Sequence, residues 1–376
     1  MNSERGTRNV EPGTWNRELG TGNLEQLELV FVGFGNVARR AIRLLDEMRG
    51  RLPFDWTIIA VVTARHGAAR DARGLDPAVL LDTVESGRSF GDARVSDTAR
   101  WLREAFTLRA DAAREGRLVC VETTVLDIRA GEPATSHVRA ALEAGAHVVT
   151  ANKGPAAFSY QPLAALARAR ERQFLFEGAV MDGVPVLNLV RDTLPGVRID
   201  GFRGVINSTT NHILSALERG EAFDAALARM QAEGIAEADP TLDVDGWDAA
   251  AKTAVLMNVL MGAQVTPHDI EREGIRGVST NEVRAAADRG ERVRLVASAD
   301  RSAGSVRGRV RIERVRAEDP LGSLEGQQNA LLLRTDLLGE IGILQRDGGL
   351  TQTAYAIVSD LATIAKTAQR ARASRT

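Results

Sequence analysis

Lysine is the scarcest charged residue in this chain. Of 48 basic residues only three are lysines, Lys153, Lys252 and Lys366. Arginine supplies the remaining positive charge, but its guanidinium stays protonated near neutral pH and cannot transfer a proton. A lysine retained against this bias is therefore a candidate for proton transfer or for recognition of a point charge. Lys366 lies in a stretch that predicts a solvated helix, so a lysine can also persist without such a role.

Cysteine is also rare, the net charge is small, and long apolar runs are absent from the sequence. Cys120 is the single cysteine, which excludes an intrachain disulfide, and its apolar neighbours predict a buried, inert thiol. A net charge of −2 gives no electrostatic basis for binding nucleic acid or an anionic membrane. No apolar run has the length of a membrane span, and the polar N-terminus lacks a secretory apolar core. These absences favour a soluble cytoplasmic protein that acts on a small molecule.

The 376 residues predict two or three domains. Residues 1–26 are polar and predicted to be disordered. Strands alternate with helical patterns through residues 27–155, which predicts an α/β domain with a Rossmann-type, doubly wound parallel sheet. Helical patterns dominate residues 156–320, with strands between them, and predict a second, α+β domain. Residues 321–370 end in a long helix that we expect to return to the first domain, and residues 371–376 form a basic tail.

A glycine motif joins the first predicted strand to the first predicted helix. Gly33 permits a tight turn, Gly35 lets a pyrophosphate approach the backbone, and the small Ala38 lets helix and strand pack closely. The N-terminus of the helix supplies N–H donors and a favourable dipole. In this position the motif predicts a dinucleotide cofactor rather than a simple glycine-rich turn.

The segment after the second predicted strand bears on the type of cofactor. An NAD site usually has an acidic residue there, which binds the ribose 2′-hydroxyl. Here the segment is Thr63-Ala-Arg-His66, which has no carboxylate and offers Arg65. An arginine suits a 2′-phosphate and favours NADP over NAD, although Arg65 could equally point to solvent.

Carboxylates cluster ahead of Lys252. The arrangement is not a calcium loop, because a loop with Asp243 at its third position would place Lys252 where the bidentate carboxylate is required. A helix beginning near Gly246 instead places Asp248 and Lys252 one turn apart on the same face. The five carboxylates lie within twelve residues and are Glu237, Asp239, Asp243, Asp245 and Asp248.

Two interpretations of the Asp248–Lys252 pair are open. On a helix surface it would be an ion pair worth a few tenths of a kcal/mol. However, the residues that follow, 253–261, are apolar on almost all sides and predict a buried helix. A lysine at the start of a buried helix and among acids suits a site that binds an ammonium group and protonates or deprotonates an oxygen.

These stretches together resemble homoserine dehydrogenase, from about residue 27 to about residue 366. The glycine motif is common to many families, whereas the acid-to-lysine segment and the Asn-x-Thr-Thr-Asn helix start are specific to this one. The similar motifs include Gly33-Phe-Gly35-Asn-Val-Ala38, Ala144 to Gly154, Glu177 to Pro185, Gly204 to Leu214, Ala236 to Gly246 and Asp248-Ala-Ala-Ala-Lys252.

The resemblance implies reversible hydride transfer between NAD(P)H and L-aspartate 4-semialdehyde, which gives L-homoserine. By its motifs, Lys252 would be the acid/base at the substrate oxygen, with Asp248 beside it and Lys153 near the nicotinamide. It further implies that the substrate is bound by Glu237, Asp243, Thr209 and Ser208, with Glu237 and Asp243 at its amino group. The implied cofactor-binding residues are Gly33, Gly35, Asn36, Val37, Ala38, Arg65, Thr123, Thr124 and Lys153.

The resemblance also implies features beyond the reaction itself. A monovalent cation, Na⁺ or K⁺, would be bound by Glu177 and the carbonyls of Val180, Asp182 and Val184. The second domain would bind substrate and form a homodimer through its sheet. No kinase domain precedes the first strand and too little chain follows residue 370 for an ACT domain, so feedback by threonine through such a module is not expected.

Departures from the family leave two alternatives open. Ile235 stands where the family commonly has tyrosine, Ser208 where it has glycine, and Asp182 where it has a small residue. These differences are compatible with an NAD(P)-dependent oxidoreductase of another small amino or hydroxy acid. The other alternative is a non-catalytic nucleotide sensor, but such a protein has no need of a proton donor such as Lys252.

Overall fold

The computed structural model describes residues 24–91, 95–107, 109–233, 236, 239–302 and 305–373. In this part of the chain two six-stranded sheets are each packed against helices. The arrangement confirms the predicted α/β class. None of the described helices is both long and apolar enough to cross a lipid bilayer.

The first sheet has the order β3-β2-β1-β4-β5-β6. All neighbouring strands are parallel except β3, which is antiparallel to β2. The strand order therefore reverses direction between β1 and β4. In sheets of this kind ligands bind at this point, beyond the carboxyl ends of the strands. The strands are β1 (Glu25–Val32), β2 (Phe54–Thr63), β3 (Gly67–Leu75), β4 (Leu118–Glu122), β5 (His147–Thr150) and β6 (Phe174–Leu175).

Helices connect the strands of the first sheet. Helix α1 presents Ala38, Ala41, Ile42 and Leu45 to the sheet at intervals of three and four residues, as its apolar period predicts. The helices of this part are α1 (Asn36–Glu47), α2 (Pro77–Glu85), α3 (Thr98–Thr107), α4 (Ala110–Arg114), α5 (Ala134–Glu143) and α6 (Gly154–Ala169).

The second sheet has the order β12-β11-β7-β9-β10-β8 and is antiparallel except where β8 pairs with β10. Its strands are β7 (Ile199–Val205), β8 (Glu271–Arg272), β9 (Glu291–Ser302), β10 (Ser305–Arg316), β11 (Asn329–Thr335) and β12 (Glu340–Gln345). The accompanying helices are α7 (Val186–Thr193), α8 (Ser208–Glu218), α9 (Phe223–Ala232), α10 (Thr241–Val244), α11 (Trp247–Leu260), α12 (Thr280–Ala287) and α13 (Leu350–Ala373).

The last helix returns to the first sheet. Side chains of α13, among them Ile357, Leu361 and Ile364, share one buried core with Leu29 and Phe31 of β1. The start of α13 lies against the 177–183 segment that follows β6. Helix α13 thus connects the core of the first sheet with the 177–183 segment beside the second sheet. The domain boundaries at residues 155 and 320 remain predictions.

A buried arginine fixes the segment between β10 and β11. Arg294 of β9 is only 1% exposed. Its guanidinium donates to the carbonyls of Leu321 at 3.3 Å, Gly322 at 3.1 Å and Leu324 at 2.6 Å, and it pairs with Glu218 at 2.5 Å. The planar fork with its five donors suits this convergence of carbonyls. Arg294 therefore holds the loop that leads into β11.

We predict that Arg294→Met lowers the free energy of unfolding by about 3 kcal/mol, because a half-buried carboxylate and the carbonyls of three buried residues lose the donor that Arg294 provides. Urea unfolding followed by circular dichroism measures the change. The control is Arg334→Met, which removes an arginine from a solvent-exposed pair with Asp300 and should cost less than about 1 kcal/mol. Equal losses in the two variants would show that Arg294 does not hold the loop.

Candidate functional site

The turn between β1 and α1 has the geometry of a phosphate-binding turn. Gly33 has a φ of +84°, and a β-carbon there would lie 2.9 Å from the carbonyl carbon of Thr123. A β-carbon on Gly35, by contrast, would meet no atom within 4 Å. The first glycine thus allows close packing against the end of β4, while the second leaves open space before the N-terminus of α1. A pyrophosphate fits this space.

Two threonines hold this turn in place. The Thr123 amide donates to the Val32 carbonyl at 2.8 Å, and its hydroxyl lies 3.2 Å from the carbonyls of both Val32 and Gly33. The Thr124 hydroxyl donates to the buried carboxylate of Glu122. The side chains predicted to touch the cofactor therefore also bind the strand ends together.

The loop after β5 positions Lys153. The Asn152 side chain donates to the carbonyls of Thr124 at 3.0 Å and Val125 at 3.1 Å. Its carbonyl oxygen accepts the Gly154 amide at 2.8 Å. Lys153 is thus attached to a rigid junction between the ends of β4 and β5, beside the space where a dinucleotide would lie.

Arg65 lies on the turn between β2 and β3 and is exposed. Within the described residues it makes no hydrogen bond or ion pair. The strand β3 was not predicted, because its sequence, Gly67–Leu75, is polar and charged rather than alternately apolar. As an edge strand it needs little apolar surface.

The second group of predicted residues meets at the start of α11. Lys252 is 9% exposed. Its ammonium lies 2.9 Å from Asp248 Oδ2 and donates to the Ile206 carbonyl at 2.7 Å. The other oxygen of Asp248 lies 3.1 Å from Nζ of Lys153. One carboxylate therefore binds both lysines that the sequence singled out, although they are almost 100 residues apart in the chain.

Asn207 connects the lysines to a second carboxylate. Its side-chain amide donates to Asp243 Oδ1 at 2.7 Å and to Asp248 Oδ2 at 2.8 Å, while its oxygen caps α8 by accepting the Thr210 amide at 2.8 Å. The N-cap role was recognisable in the sequence Asn-Ser-Thr-Thr. The bridge between two aspartates was not, since they come from a later segment.

The charges in this cluster are strongly coupled. Burial opposes the ionisation of Asp248, but Lys153 and Lys252 outweigh it and hold the pKa of Asp248 far below its usual range. Burial also favours neutral Lys252, but Asp248, Asp182 and Asp243 together raise its pKa. The pKa of Asp243 is raised, first by burial and then by repulsion from Asp248. Lys252 therefore has a positive charge near neutral pH, and Asp243 would gain from a cationic ligand.

These groups line a cleft of about 390 Å³. The cleft is also lined by Asn207, Gln327 and residues 348–350, the last of which begins α13. Gln327 was not predicted, and nothing in its local sequence indicates a site; the loop held by Arg294 places it there. The predicted residues that the structure brings together in the cleft are Lys153, Asp182, Ser208, Thr209, Asp243, Asp248 and Lys252.

The predicted cation segment lies beside this cleft. The carboxylate of Glu177 accepts the amides of Leu187 at 2.8 Å and Asn188 at 2.7 Å, at the start of α7. The carbonyl of Val184 accepts the Val186 amide at 2.7 Å. Across the described ranges, no group of three or more His, Cys, Asp or Glu side chains could hold a metal ion. A monovalent cation on backbone carbonyls at Val180 and Asp182 stays a prediction.

Glu237, predicted to bind the substrate amino group, and Ile235, one of the departures, lie outside the described residues. The other two departures, Ser208 and Asp182, both line the cleft. Asp182 has a φ of +47°, a left-handed conformation that aspartate tolerates better than most residues.

We predict that Asn207→Asp is destabilising and that the loss grows with pH. The variant keeps an acceptor for the Thr210 amide but places a third carboxylate beside Asp243 and Asp248. The pKa of the carboxyl introduced at position 207 is raised in the folded protein above its value in the unfolded chain. Between these two pKa values the folded state binds the extra proton, so the variant loses stability as pH rises through this range. We expect a loss of about 2 kcal/mol or more at pH 8 and a smaller loss at pH 5.

Urea unfolding at the two pH values measures this difference. Asn207→Ser is the matched control, because serine also caps a helix but adds no carboxylate. Its loss should be similar at pH 5 and pH 8. A pH-independent loss for Asn207→Asp would mean that Asn207 acts only as a helix cap.

Comparisons with known proteins match almost the whole chain. Residues 33–177 match the family model of the homoserine dehydrogenase NAD-binding domain, and residues 185–362 match that of homoserine dehydrogenase. The NAD(+)-dependent homoserine dehydrogenase of Pseudomonas canavaninivorans is 36% identical over 352 residues, which cover 92% of this chain and 98% of that protein. The homoserine dehydrogenase of Methanocaldococcus jannaschii is 33% identical, with 89% of this chain and 97% of that protein covered.

A solved structure is similar over the same extent. The crystal structure of homoserine dehydrogenase from Thermoplasma acidophilum superposes with a TM-score of 0.75 at 26% sequence identity. The match covers 91% of this chain and 99% of that one. The fold described above therefore occurs in a chain of similar extent.

Proposed function

The chain belongs to the homoserine dehydrogenase family of NAD(P)-dependent oxidoreductases, and from that premise we propose that its cleft interconverts L-aspartate 4-semialdehyde and L-homoserine. The observation that supports this proposal most directly is the position of Asp248. It holds Lys153, at the end of the first sheet, and Lys252, in the second region, within 3.1 Å of one carboxylate. The cleft thus joins a dinucleotide turn to a buried proton donor.

Lys252 is proposed as the acid/base at the substrate oxygen. An ammonium has three N–H donors. Two of those of Lys252 already bind Asp248 and the Ile206 carbonyl. One N–H therefore remains for the aldehyde oxygen, which becomes the hydroxyl of the product when it takes the proton. In the reverse direction the neutral amine takes that proton back. The bound nicotinamide supplies or accepts the hydride.

Lys153 is proposed to orient the reacting end of the substrate. Its ammonium is tied to Asp248 while its backbone is fixed beside β4 and β5. It is 22% exposed at its side chain, so it contacts both the buried carboxylate and the open cleft. A cation there also stabilises the negative charge that develops on the oxygen during reduction.

The substrate amino group is proposed to bind at Asp243, with Glu237 as a second carboxylate on the strength of its motif. Among the described side chains, the cleft has the carboxylates Asp182, Asp243 and Asp248 against the two lysines. An ammonium ion would offset the burial and the repulsion from Asp248 that raise the pKa of Asp243.

Lys252→Arg, assayed with L-aspartate 4-semialdehyde and both reduced cofactors, tests the mechanism. The wild type should oxidise NADPH or NADH in the presence of this substrate. We expect the variant to lose about 10²- to 10⁴-fold in kcat, because arginine keeps the charge but does not release a proton near neutral pH. Cofactor binding, measured by quenching of intrinsic fluorescence, should be unchanged.

Lys366→Arg is the matched control, since it makes the same exchange on the exposed part of α13. Its kcat should equal that of the wild type. Activity of Lys252→Arg within a fewfold of the wild type would mean that Lys252 is only a charge. A wild type that turns over a different amino or hydroxy acid but not this substrate would reject the proposed substrate.

The cofactor is proposed to be NADP rather than NAD. Arg65 is exposed at the turn after β2 and has no other partner within the described residues, so it is free to bind a 2′-phosphate. The relative from Pseudomonas canavaninivorans is named as NAD(+)-dependent, so the preference of this chain has to be measured directly.

We expect Arg65→Ala to weaken NADP binding about ten- to a hundredfold, because a charge-assisted contact is lost, and to leave NAD binding nearly unchanged. Titration of both oxidised cofactors by calorimetry measures the ratio of the two dissociation constants. Arg70→Ala, an exposed arginine on β3, serves as the control. An unchanged ratio in Arg65→Ala would mean that its side chain faces solvent in the complex.

Further parts of the proposal rest on the resemblance. They are a nucleotide-binding domain over residues 27–155, a substrate and dimerisation domain over residues 156–320, and a C-terminal segment that returns to the first. The packing of α13 on β1 supports the last of these. A homodimer through the second sheet and a Na⁺ or K⁺ ion at residues 177–184 belong to the same proposal.

A further inference from the structure

We propose that the Ser208 hydroxyl binds the α-carboxylate of the substrate and that Asn329 and Gln345 orient this hydroxyl as a donor. The inference rests on the proposed function and assigns the third polar group of the substrate. It gives a role to a side chain that the family commonly lacks. Ser208 would be a specificity-determining residue, and Asn329 and Gln345 would be positioning residues.

The direction of the Ser208 hydrogen bond follows from its neighbour. The side-chain N–H of Asn329 donates to Ser208 Oγ at 2.8 Å and lies 3.1 Å from Gln345 Oε1. Asn329 is 1% exposed and Gln345 is 4% exposed, so both amides are fixed within the protein. Because the Ser208 oxygen accepts from Asn329, its own proton is free to be donated. Ser208 lines the cleft, so that donation is directed at a ligand.

The carboxylate is the substrate group that this end of the cleft suits. The ammonium is allotted to Asp243 and the aldehyde oxygen to Lys252. The remaining wall is the start of α8, where the amides of Ser208 and Thr209 have no acceptor within the described residues. A helix N-terminus with free N–H groups favours an anion, and a hydroxyl donor one residue after the cap adds to it.

Unpaired polar atoms beneath Ser208 give an independent indication that the wall is incomplete without a ligand. The Oδ1 atom of Asn329 and the Nε2 atom of Gln345 are buried and have no partner among the described residues. A buried polar atom without a partner is costly, so such atoms usually have a bound water or ligand. Gln345 Nε2 lies 3.3 Å from the position that a β-carbon on Gly348 would take, and Gly348 lines the cleft.

The test compares substrates with and without the carboxylate, in the direction of alcohol oxidation. L-Homoserine has the carboxylate, and 3-aminopropan-1-ol keeps its ammonium and hydroxyl but lacks it. We expect Ser208→Ala to raise KM for L-homoserine about tenfold, as expected for the loss of one hydrogen bond to a charged group, with kcat changed less than twofold. For 3-aminopropan-1-ol, KM should be unchanged. If 3-aminopropan-1-ol is turned over too slowly for KM to be measured, its inhibition constant in the oxidation of L-homoserine is measured instead.

Ser215→Ala is the matched control. It removes a hydroxyl from the same helix. That hydroxyl does not line the cleft and accepts the Gly326 amide at a distance of 3.3 Å. It should leave both substrates unaffected. The positioning role is tested by Asn329→Asp, which keeps the shape but turns the donor into an acceptor, so that Ser208 donates to it instead of to substrate. In the double variant Ser208→Ala with Asn329→Ala, KM for L-homoserine should be no higher than in Ser208→Ala alone.

The outcomes separate this inference from the proposed function. A wild type that does not oxidise L-homoserine contradicts the proposed function. If the wild type is active and Ser208→Ala has a normal KM for L-homoserine, the carboxylate contact is wrong. An equal rise in KM for both substrates would also overturn it, since Ser208 would then shape the pocket without recognising the carboxylate. Asn329→Asp that folds and shows a normal KM would remove Asn329 from the positioning role.

Discussion

One carboxylate organises the site of this protein. Asp248 lies in the first turn of α11, is bound by Lys153 from the end of the first sheet, and binds Lys252 one helical turn further on. Lys252 could not be buried as a cation without it, because an unpaired buried charge is strongly disfavoured. The positions of Lys153 and Lys252 relative to the first turn of α11 thus depend on one set of hydrogen bonds.

Asn207 extends this arrangement at little electrostatic cost. Its amide neutralises part of the repulsion between Asp243 and Asp248, while its oxygen starts α8. The same residue therefore fixes the helix whose N-terminus forms one wall of the cleft and the carboxylate that forms another. The walls of the cleft differ in charge. In the proposed function the acids would bind a cation, the lysines an oxygen and the helix start an anion, so that a substrate with all three groups would fit in one orientation.

The sequence predicted the local features and missed those that depend on distant segments. The glycine motif predicted the junction of β1 and α1, and the spacing of Asp248 and Lys252 predicted an ion pair on one helix face. The loop held by Arg294 was not predictable, because one buried arginine cannot be distinguished among 45 arginines that are mostly exposed. Gln327 and the contact between Asn329 and Ser208 arise only after that loop is in place.

The path of α13 has a consequence for how the chain is made. Ile357, Leu361 and Ile364 complete the core around β1, the first strand in the described part of the chain. Until α13 has been synthesised, the face of the first sheet that α1 covers in part keeps apolar side chains in water, which disfavours the compact state. The nucleotide-binding domain can therefore reach its full stability only after residues 350–373 have been added.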